Sequence, residues 1–188
     1  MRLFIGLDPR EEVRERLERL LIHLRACAHL KWSALYNLHI TLKFIGEWPE
    51  GRLPELEAAL RSLSPREPIR SDVKGLGWYP NPRHPRVFWV GVQAGDALTS
   101  LAKDIESALG PLGIAKENQP FNAHLTLARI KEPAPLQALR NTIAQLESVE
   151  YGSFLVDRFY LYRSQPGSAG SIYTKLSEYP LQASVHAQ

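Results

Sequence analysis

This chain of 188 residues has only one cysteine, and it lacks long apolar runs and a large net charge. The single cysteine, Cys27, excludes an internal disulfide and favours a reducing compartment, so we expect a cytoplasmic protein. No apolar stretch approaches the roughly 20 residues of a membrane span. The apolar run near the N-terminus is shorter than the one expected in a signal peptide. The formal net charge of +3 suits a small anion or a short nucleic acid but requires neither.

Several catalytic signatures are also missing. No glycine-rich phosphate loop supports triphosphate hydrolysis, and no Gly-x-Ser-x-Gly elbow supports a serine hydrolase. Four of the six histidines show no metal-ligand spacing, and no cysteine pair is present to complete such a site. These four are His23, His29, His84 and His186. We therefore expect neither a metal nor another cofactor.

One tetrapeptide occurs twice. Residues His39–Leu42 are His-Ile-Thr-Leu, and residues His124–Leu127 are His-Leu-Thr-Leu. Both copies lie in apolar runs typical of β-strands, in which side chains alternate between the two faces. Each histidine should therefore share a face with the threonine two residues later, while leucine and isoleucine pack on the other face. The sequence thus presents an imidazole beside a hydroxyl at two places.

The order of predicted elements repeats as well. A first strand containing Arg-Leu-Phe-Ile-Gly is echoed in mid-chain by Arg-Val-Phe-Trp-Val-Gly. Phe4 precedes His39 by 35 positions and Phe88 precedes His124 by 36, so the two halves run almost in register. This spacing predicts a duplicated β-α-β-α-β unit, because two copies are too few for a solenoid.

From the duplication we expect an α+β fold. Residues 1–188 should form one two-lobed domain with its lobe boundary near residues 79–86, where prolines break the pattern. The lobes should be related by a pseudo-two-fold axis, with antiparallel sheets lining a central cleft and the two histidine strands facing each other across it. Phe154–Tyr162 is predicted to be one strand, and Asp8 is predicted to be the N-cap of the first helix.

Paired histidines favour acid and base chemistry at phosphorus. Imidazole titrates near neutrality, so one histidine can take a proton from an attacking oxygen while the other gives a proton to a leaving oxygen. A threonine two residues later adds a donor for a non-bridging phosphate oxygen. The candidate residues are therefore His39, Thr41, His124 and Thr126, and their chemistry requires no metal.

The segments around both tetrapeptides resemble the signatures of the two-histidine phosphoesterases. Within that superfamily they are similar to the RNA 2′,3′-cyclic phosphodiesterase branch, long called 2′-5′ RNA ligases. The similar segments are Trp32, Asn37–Gly46, Gly75–Gly77, Pro85–Gly91, Pro120–Arg129, Leu161–Ser164 and Tyr173, and the resemblance runs from Met1 to about Leu181. Asn122 and Ala123 replace an Arg-Pro that such proteins more often carry before the second histidine.

The resemblance implies hydrolysis of a 2′,3′-cyclic phosphate, on RNA ends or on small cyclic nucleotides, to a 2′-phosphomonoester. His39 would protonate the leaving 3′ oxygen, and His124 would accept a proton from water. Thr41 and Thr126 would bind phosphate oxygens. Arg129 would also bind phosphate, although strand alternation puts it on the opposite face. No membrane and no obligate protein partner is implied.

Two other functions stay open. The first is a ligase that joins RNA ends with the same histidines acting in reverse. The second is a non-catalytic module that grips RNA ends in the same cleft, which the pair of titratable groups argues against.

Two neighbours of the first motif carry weaker expectations. Lys43 shares the parity of the histidine and is expected to be solvated at the rim of the cleft. Phe44 has the opposite parity and is expected to pack in the core rather than to stack on a base. Of the four tryptophans, we expect at most one to contact a base.

Overall fold

The computed structural model describes residues 1–182, so His186 lies outside the described residues. Within residues 1–182 the chain forms nine β-strands and four α-helices. The strands are β1 (Arg2–Leu7), β2 (Lys31–Trp32), β3 (Ile40–Glu47), β4 (Ile69–Tyr79), β5 (Val87–Gln93), β6 (His124–Arg129), β7 (Glu150–Val156), β8 (Arg158–Gly167) and β9 (Gly170–Pro180). The helices are α1 (Glu11–Arg25), α2 (Leu53–Arg61), α3 (Ala97–Leu109) and α4 (Gln137–Ala144).

The described strands form a single antiparallel sheet. Eight of them lie in the order β7-β4-β5-β6-β3-β1-β8-β9, and β2 pairs with β6 beside this path. The two strands that carry the repeated tetrapeptide, β3 and β6, are therefore neighbours at the centre of the sheet. The predicted α+β class with antiparallel strands is confirmed.

Strands are exchanged between the two halves of the repeat. Although β4 precedes the proline-rich loop at residues 79–86, it pairs with β5, which follows that loop. In the same way β8, from the second half of the chain, pairs with β1. Each side of the sheet thus contains a strand from the other half of the sequence, and the lobe boundary at residues 79–86 stays a prediction.

The prediction of one strand over Phe154–Tyr162 is wrong. The segment breaks at Asp157 into β7, which lies beside β4, and β8, which lies beside β1. Its buried positions change parity at the break, from Phe154 and Val156 before Asp157 to Phe159 and Leu161 after it. A single regular strand would keep one parity, so this change marks the point where the chain crosses from one end of the sheet to the other.

Asp8 does not cap the first helix. Helix α1 begins at Glu11, with Arg10 at the N-cap position and no side-chain capping bond. The Asp8 carboxylate instead accepts a hydrogen bond from the Tyr162 hydroxyl and lies 2.5 Å from Nζ of Lys175. The carboxylate is thus directed towards β8 and β9, where it binds the hydroxyl of Tyr162 and the ammonium of Lys175 instead of the backbone N–H groups at the start of α1.

The helices cover one face of the sheet. Alternate residues of β1, Leu3, Ile5 and Leu7, are buried with the apolar faces of α1 and α3. The helix residues in this core are Val13, Leu17, Leu20, Leu21 and Leu24 of α1 and Leu98, Leu101, Ile105 and Leu109 of α3. The intervening residues of β1 point to the other face of the sheet, which leaves that face for the site. Among residues 1–182, no helix is both long enough and apolar enough to cross a membrane.

Candidate active site

Strands β3 and β6 meet at one residue pair, Ile40 opposite Leu125. Both side chains are fully buried, so the residues on either side of each point to the other face of the sheet. Continuing the antiparallel register by one residue puts His39 beside Thr126 and Thr41 beside His124. The fold thus brings the four motif residues to one centre, where each histidine lies next to the threonine of the other motif.

Both histidines are held in the same way. Nδ1 of His39 lies 2.7 Å from the carbonyl oxygen of Asn37, and Nδ1 of His124 lies 2.8 Å from the carbonyl oxygen of Asn122. Because a carbonyl can only accept, Nδ1 carries the hydrogen in each ring. This leaves Nε2 of each imidazole as the nitrogen that can accept or donate a proton in the cleft.

Aromatic side chains support each imidazole. The ring of His39 is 4.8 Å from that of Phe4 and meets the edge of Tyr173 at 5.0 Å. The ring of His124 is 5.3 Å from Tyr79 and 6.3 Å from Trp89. These contacts restrict the orientations of both rings and remove part of their solvent.

The pKa of each histidine is lowered from its ordinary value. Burial is the main cause for both, and the Nδ1 hydrogen bond opposes it in part. The carboxylate of Asp8 also raises the pKa of His39, while the positive charges of Arg129 and His124 lower it. The charge of Arg129 lowers the pKa of His124 as well. Arg129 is exposed, and its role in binding phosphate stays a prediction.

The repeat is offset by one residue from the alignment that the sequence suggests. Phe88, expected to be the counterpart of Phe4, is fully buried in the core. Trp89 faces the cleft instead, at the same distance of 35 positions before its histidine as Phe4. Gly6 and Gly91 agree with this second alignment, since both precede their histidines by 33 positions. Trp89 is the cleft residue that the sequence alignment of the halves missed.

A cavity of about 1160 Å³ opens on the side of the centre where Thr41 and His124 lie. Phe44 lines it and is 55% exposed, so the prediction that Phe44 packs in the core is wrong. The cause is an irregularity in the pairing of β1 with β3, where Ile5 and Gly6 are paired with Lys43 and Thr41. Leu42 has no partner in this register, so the alternation of side chains inverts after it.

Lys43 is buried rather than solvated, with an exposure of 2%. Its Nζ lies 2.5 Å from Oε1 of Glu106 on α3 and donates to the carbonyl oxygen of Ala115 at 2.6 Å. The carboxylate of Glu117 lies 3.7 Å from the same ammonium. The prediction of a solvated lysine is therefore wrong. Lys43 ties β3 to α3 and to the loop that forms one wall of the cavity.

Asn122, the departure from the more frequent Arg-Pro, takes part in the local hydrogen bonding. Its side-chain amide donates to the Tyr79 hydroxyl, while its carbonyl oxygen accepts from His124. Asn122 therefore connects the second histidine to the aromatic residue that packs against it. Across residues 1–182, no group of three or more His, Cys, Asp or Glu side chains is arranged to hold a metal ion.

Comparisons with known proteins support the duplication and show the family. A family model described as LigT like phosphoesterase matches residues 7–89 and again residues 90–173. An RNA 2′,3′-cyclic phosphodiesterase of Methanothermobacter thermautotrophicus is 34% identical over 183 residues, which cover 96% of this chain and 99% of that protein. The crystal structure of the Thermus thermophilus protein TT0787 has a TM-score of 0.82 at 32% identity, covering 97% of this chain and 98% of that one. The structure of Escherichia coli LigT complexed with 3′-AMP has a TM-score of 0.74 at 25% identity, with coverage of 97% and 98%.

Proposed function

The chain belongs to the LigT like phosphoesterase family, and we propose that it hydrolyses 2′,3′-cyclic phosphates at RNA ends or on small nucleotides. The observation that carries this proposal is the pair of identically held histidines at the junction of β3 and β6. His39 and His124 each use Nδ1 on a backbone carbonyl and keep Nε2 for proton transfer. Such a pair suits an in-line displacement, which needs a base on one side of phosphorus and an acid on the other.

The reaction begins when a water oxygen attacks phosphorus opposite the 3′ oxygen. Nε2 of neutral His124 takes the proton of the attacking water. The bond from phosphorus to the 3′ oxygen breaks, and protonated His39 gives its Nε2 proton to that oxygen. The products are a 2′-phosphomonoester and a free 3′-hydroxyl, so one water is consumed and the number of protons on the two histidines is conserved.

The remaining motif residues neutralise charge on the phosphoryl group. The hydroxyls of Thr41 and Thr126 donate to the two non-bridging oxygens, where negative charge develops during the displacement. Arg129 adds positive potential at the edge of the centre. These steps use only side chains of this chain, and we propose that the reaction proceeds without a metal.

The nucleoside occupies the cavity beside Thr41 and His124. The volume of this cavity, about 1160 Å³, is ample for a nucleotide, since ligand sites measure roughly 300–1,000 Å³. Phe44 offers an exposed aromatic ring in this cavity, on which a base can stack.

We propose the cytoplasm as the compartment of this protein, because its single cysteine favours a reducing environment.

Ligation is the second candidate, because the 5′-hydroxyl of a second RNA would replace water as the nucleophile, with His124 again as the base and His39 again as the acid for the 3′ oxygen. The cavity has room for such an acceptor as well as for water. RNA halves with a 2′,3′-cyclic phosphate and a 5′-hydroxyl separate the two functions. Hydrolysed ends should predominate over joined RNA. A predominance of joined RNA would identify the ligase.

Phosphorus NMR on a 2′,3′-cyclic nucleotide tests the proposal. The cyclic phosphate signal should be replaced by that of a 2′-phosphate, with or without a chelator. A 3′-phosphate product would mean that the 2′ oxygen is the leaving group, which contradicts the assignment of His39. An intact ring after prolonged incubation would favour a module that only binds RNA ends. Loss of activity in the chelator, restored by a divalent ion, would contradict the metal-free mechanism.

A further inference from the structure

Tyr36 is the most exposed large apolar side chain among those described, at 76%, and it lies three residues before His39. It sits in a single 3-10 turn, Leu35–Asn37. The guanidinium of Arg14 fixes this turn with two hydrogen bonds. Its Nη1 donates to the carbonyl oxygen of Leu35 at 2.7 Å, and its Nη2 donates to that of Leu38 at 3.4 Å. The backbone beneath Tyr36 is therefore fixed, while its ring is presented to solvent.

The turn is also tied to the tip of the β8–β9 hairpin. The side-chain amide of Asn37 donates to the carbonyl oxygen of Ser171 at 2.8 Å. Tyr36 precedes Asn37 and Ile172 follows Ser171, and Ile172 is 54% exposed. The next residue, Tyr173, packs its edge against His39. This hydrogen bond thus ties the turn that carries Tyr36 to the strand whose Tyr173 contacts His39, whereas Ile172 has the opposite parity in β9 and points to the other face of the sheet.

The positions of the substituents on the ribose ring indicate which part of an RNA substrate lies near Tyr36. The base is attached at C1′, next to C2′, whereas the chain towards the 5′ end leaves from C4′, next to C3′. In the proposed reaction His39 protonates the 3′ oxygen, so the C3′ edge of the ribose lies on the His39 side. The base then points the other way, towards the cavity beside Thr41 and His124, and the preceding nucleotide leaves past Tyr36.

We propose that Tyr36 is a stacking platform for the base of the nucleotide that precedes the cyclic phosphate end. This inference rests on the proposed function and extends it, because it makes an RNA strand the preferred substrate over a mononucleotide. Single-stranded RNA is commonly held by bases stacked on exposed aromatic side chains, and each such contact contributes roughly 1–3 kcal/mol. A fixed backbone lowers the entropy that Tyr36 loses on binding.

The test compares two substrates with the same terminal nucleoside. One is a 2′,3′-cyclic mononucleotide, and the other is a short RNA with a 2′,3′-cyclic phosphate end. Tyr36→Ala should raise KM for the RNA by about 10-fold, within the roughly 5- to 150-fold range that a stacking contact spans, and should leave kcat/KM for the mononucleotide within about two-fold. Tyr36→Phe keeps the ring and should behave as the wild type. Ile22→Ala is the matched control, because Ile22 is 62% exposed on α1 and should affect neither substrate.

An abasic nucleotide before the cyclic end sharpens the result. It should weaken binding to the wild type as much as Tyr36→Ala does, and should cause no further loss in Tyr36→Ala. Equal changes on both substrates, no change on either, or additive losses would overturn the inference, and a protein-binding role for Tyr36 would then be favoured. A wild type that hydrolyses neither substrate would instead contradict the proposed function itself.

Discussion

Ile40 and Leu125 form the pair at which the strands of the two repeated motifs meet. Since both side chains are buried in the core, their neighbours in sequence must point into the cleft. This pair therefore sets the positions of both histidines and both threonines. The candidate site is a consequence of the register between β3 and β6.

Gly77 supports the second histidine indirectly. A Cβ at this position would overlap the ring of Trp89, which lies 5.2 Å from Tyr79 and 6.3 Å from His124. Gly77→Ala should therefore displace Trp89, lower the free energy of unfolding by about 1–3 kcal/mol and reduce kcat/KM. Denaturant unfolding and steady-state kinetics measure the two effects.

Gly51 is the matched control for this substitution. An added Cβ at Gly51 would meet no atom within 4 Å, so Gly51→Ala should leave stability and kinetics nearly unchanged. Equal behaviour of the two alanine variants would show that Trp89 does not need the space above Gly77.

The ion pair of Lys43 with Glu106 fixes the wall of the cavity. Lys43→Ala leaves the Glu106 carboxylate largely buried without its cation, and should lower the free energy of unfolding by about 3–5 kcal/mol. Lys103→Ala should change it by less than about 0.5 kcal/mol, because Lys103 is an exposed residue of α3. Denaturant unfolding checks both values.

Replacing both partners separates the charge effect from packing. Lys43→Met combined with Glu106→Leu should recover most of the stability lost in the single variant, since neither charge is then buried alone. A double variant as unstable as Lys43→Ala would mean that the specific geometry of the pair, rather than the uncompensated charge, stabilises the fold.

The pH dependence of kcat/KM follows from the lowered pKa of both histidines. His124 must be neutral to act as a base, so activity rises as the pH passes its pKa. His39 must be protonated to act as an acid, so activity falls as the pH passes its pKa. Because both values lie below 6.5, kcat/KM should be higher near pH 6 than near pH 8. The two limbs belong to the coupled pair.

Replacing Asp8 should shift the pH profile of kcat/KM in one defined direction. Its carboxylate raises the pKa of His39, so Asp8→Asn should shift the falling limb of the profile to lower pH. The measurement is kcat/KM across the same pH series. A profile that climbs steadily to pH 8, or a shift towards higher pH in Asp8→Asn, would contradict these roles.

The sequence was sufficient to predict the centre of the site because its signal is local. Alternation within a strand puts each histidine on the face of its own threonine, and duplication predicts that the two sets are equivalent. The first inference needs only a few consecutive residues around His39 and His124, and the second needs only the order and spacing of such segments along the chain. The α+β class follows from the same local periodicity.

Features that depend on distant residues were not predictable. The inversion that exposes Phe44 comes from the pairing of β3 with β1, and nothing in the segment Leu42–Phe44 marks it. The burial of Lys43 depends on Glu106, 63 positions later in the chain. The break at Asp157 left a local trace in the parity of the buried residues around it, but the exchange of strands between halves left none.

Substitution of the two histidines tests the central claim most directly. His39→Ala and His124→Ala should each lower kcat on a 2′,3′-cyclic substrate by roughly 10²–10⁴-fold, the usual range for a lost acid or base, while His84→Ala should not change it. RNA binding should change far less than kcat in both variants. Turnover close to that of the wild type in either His39→Ala or His124→Ala would contradict the two-histidine mechanism.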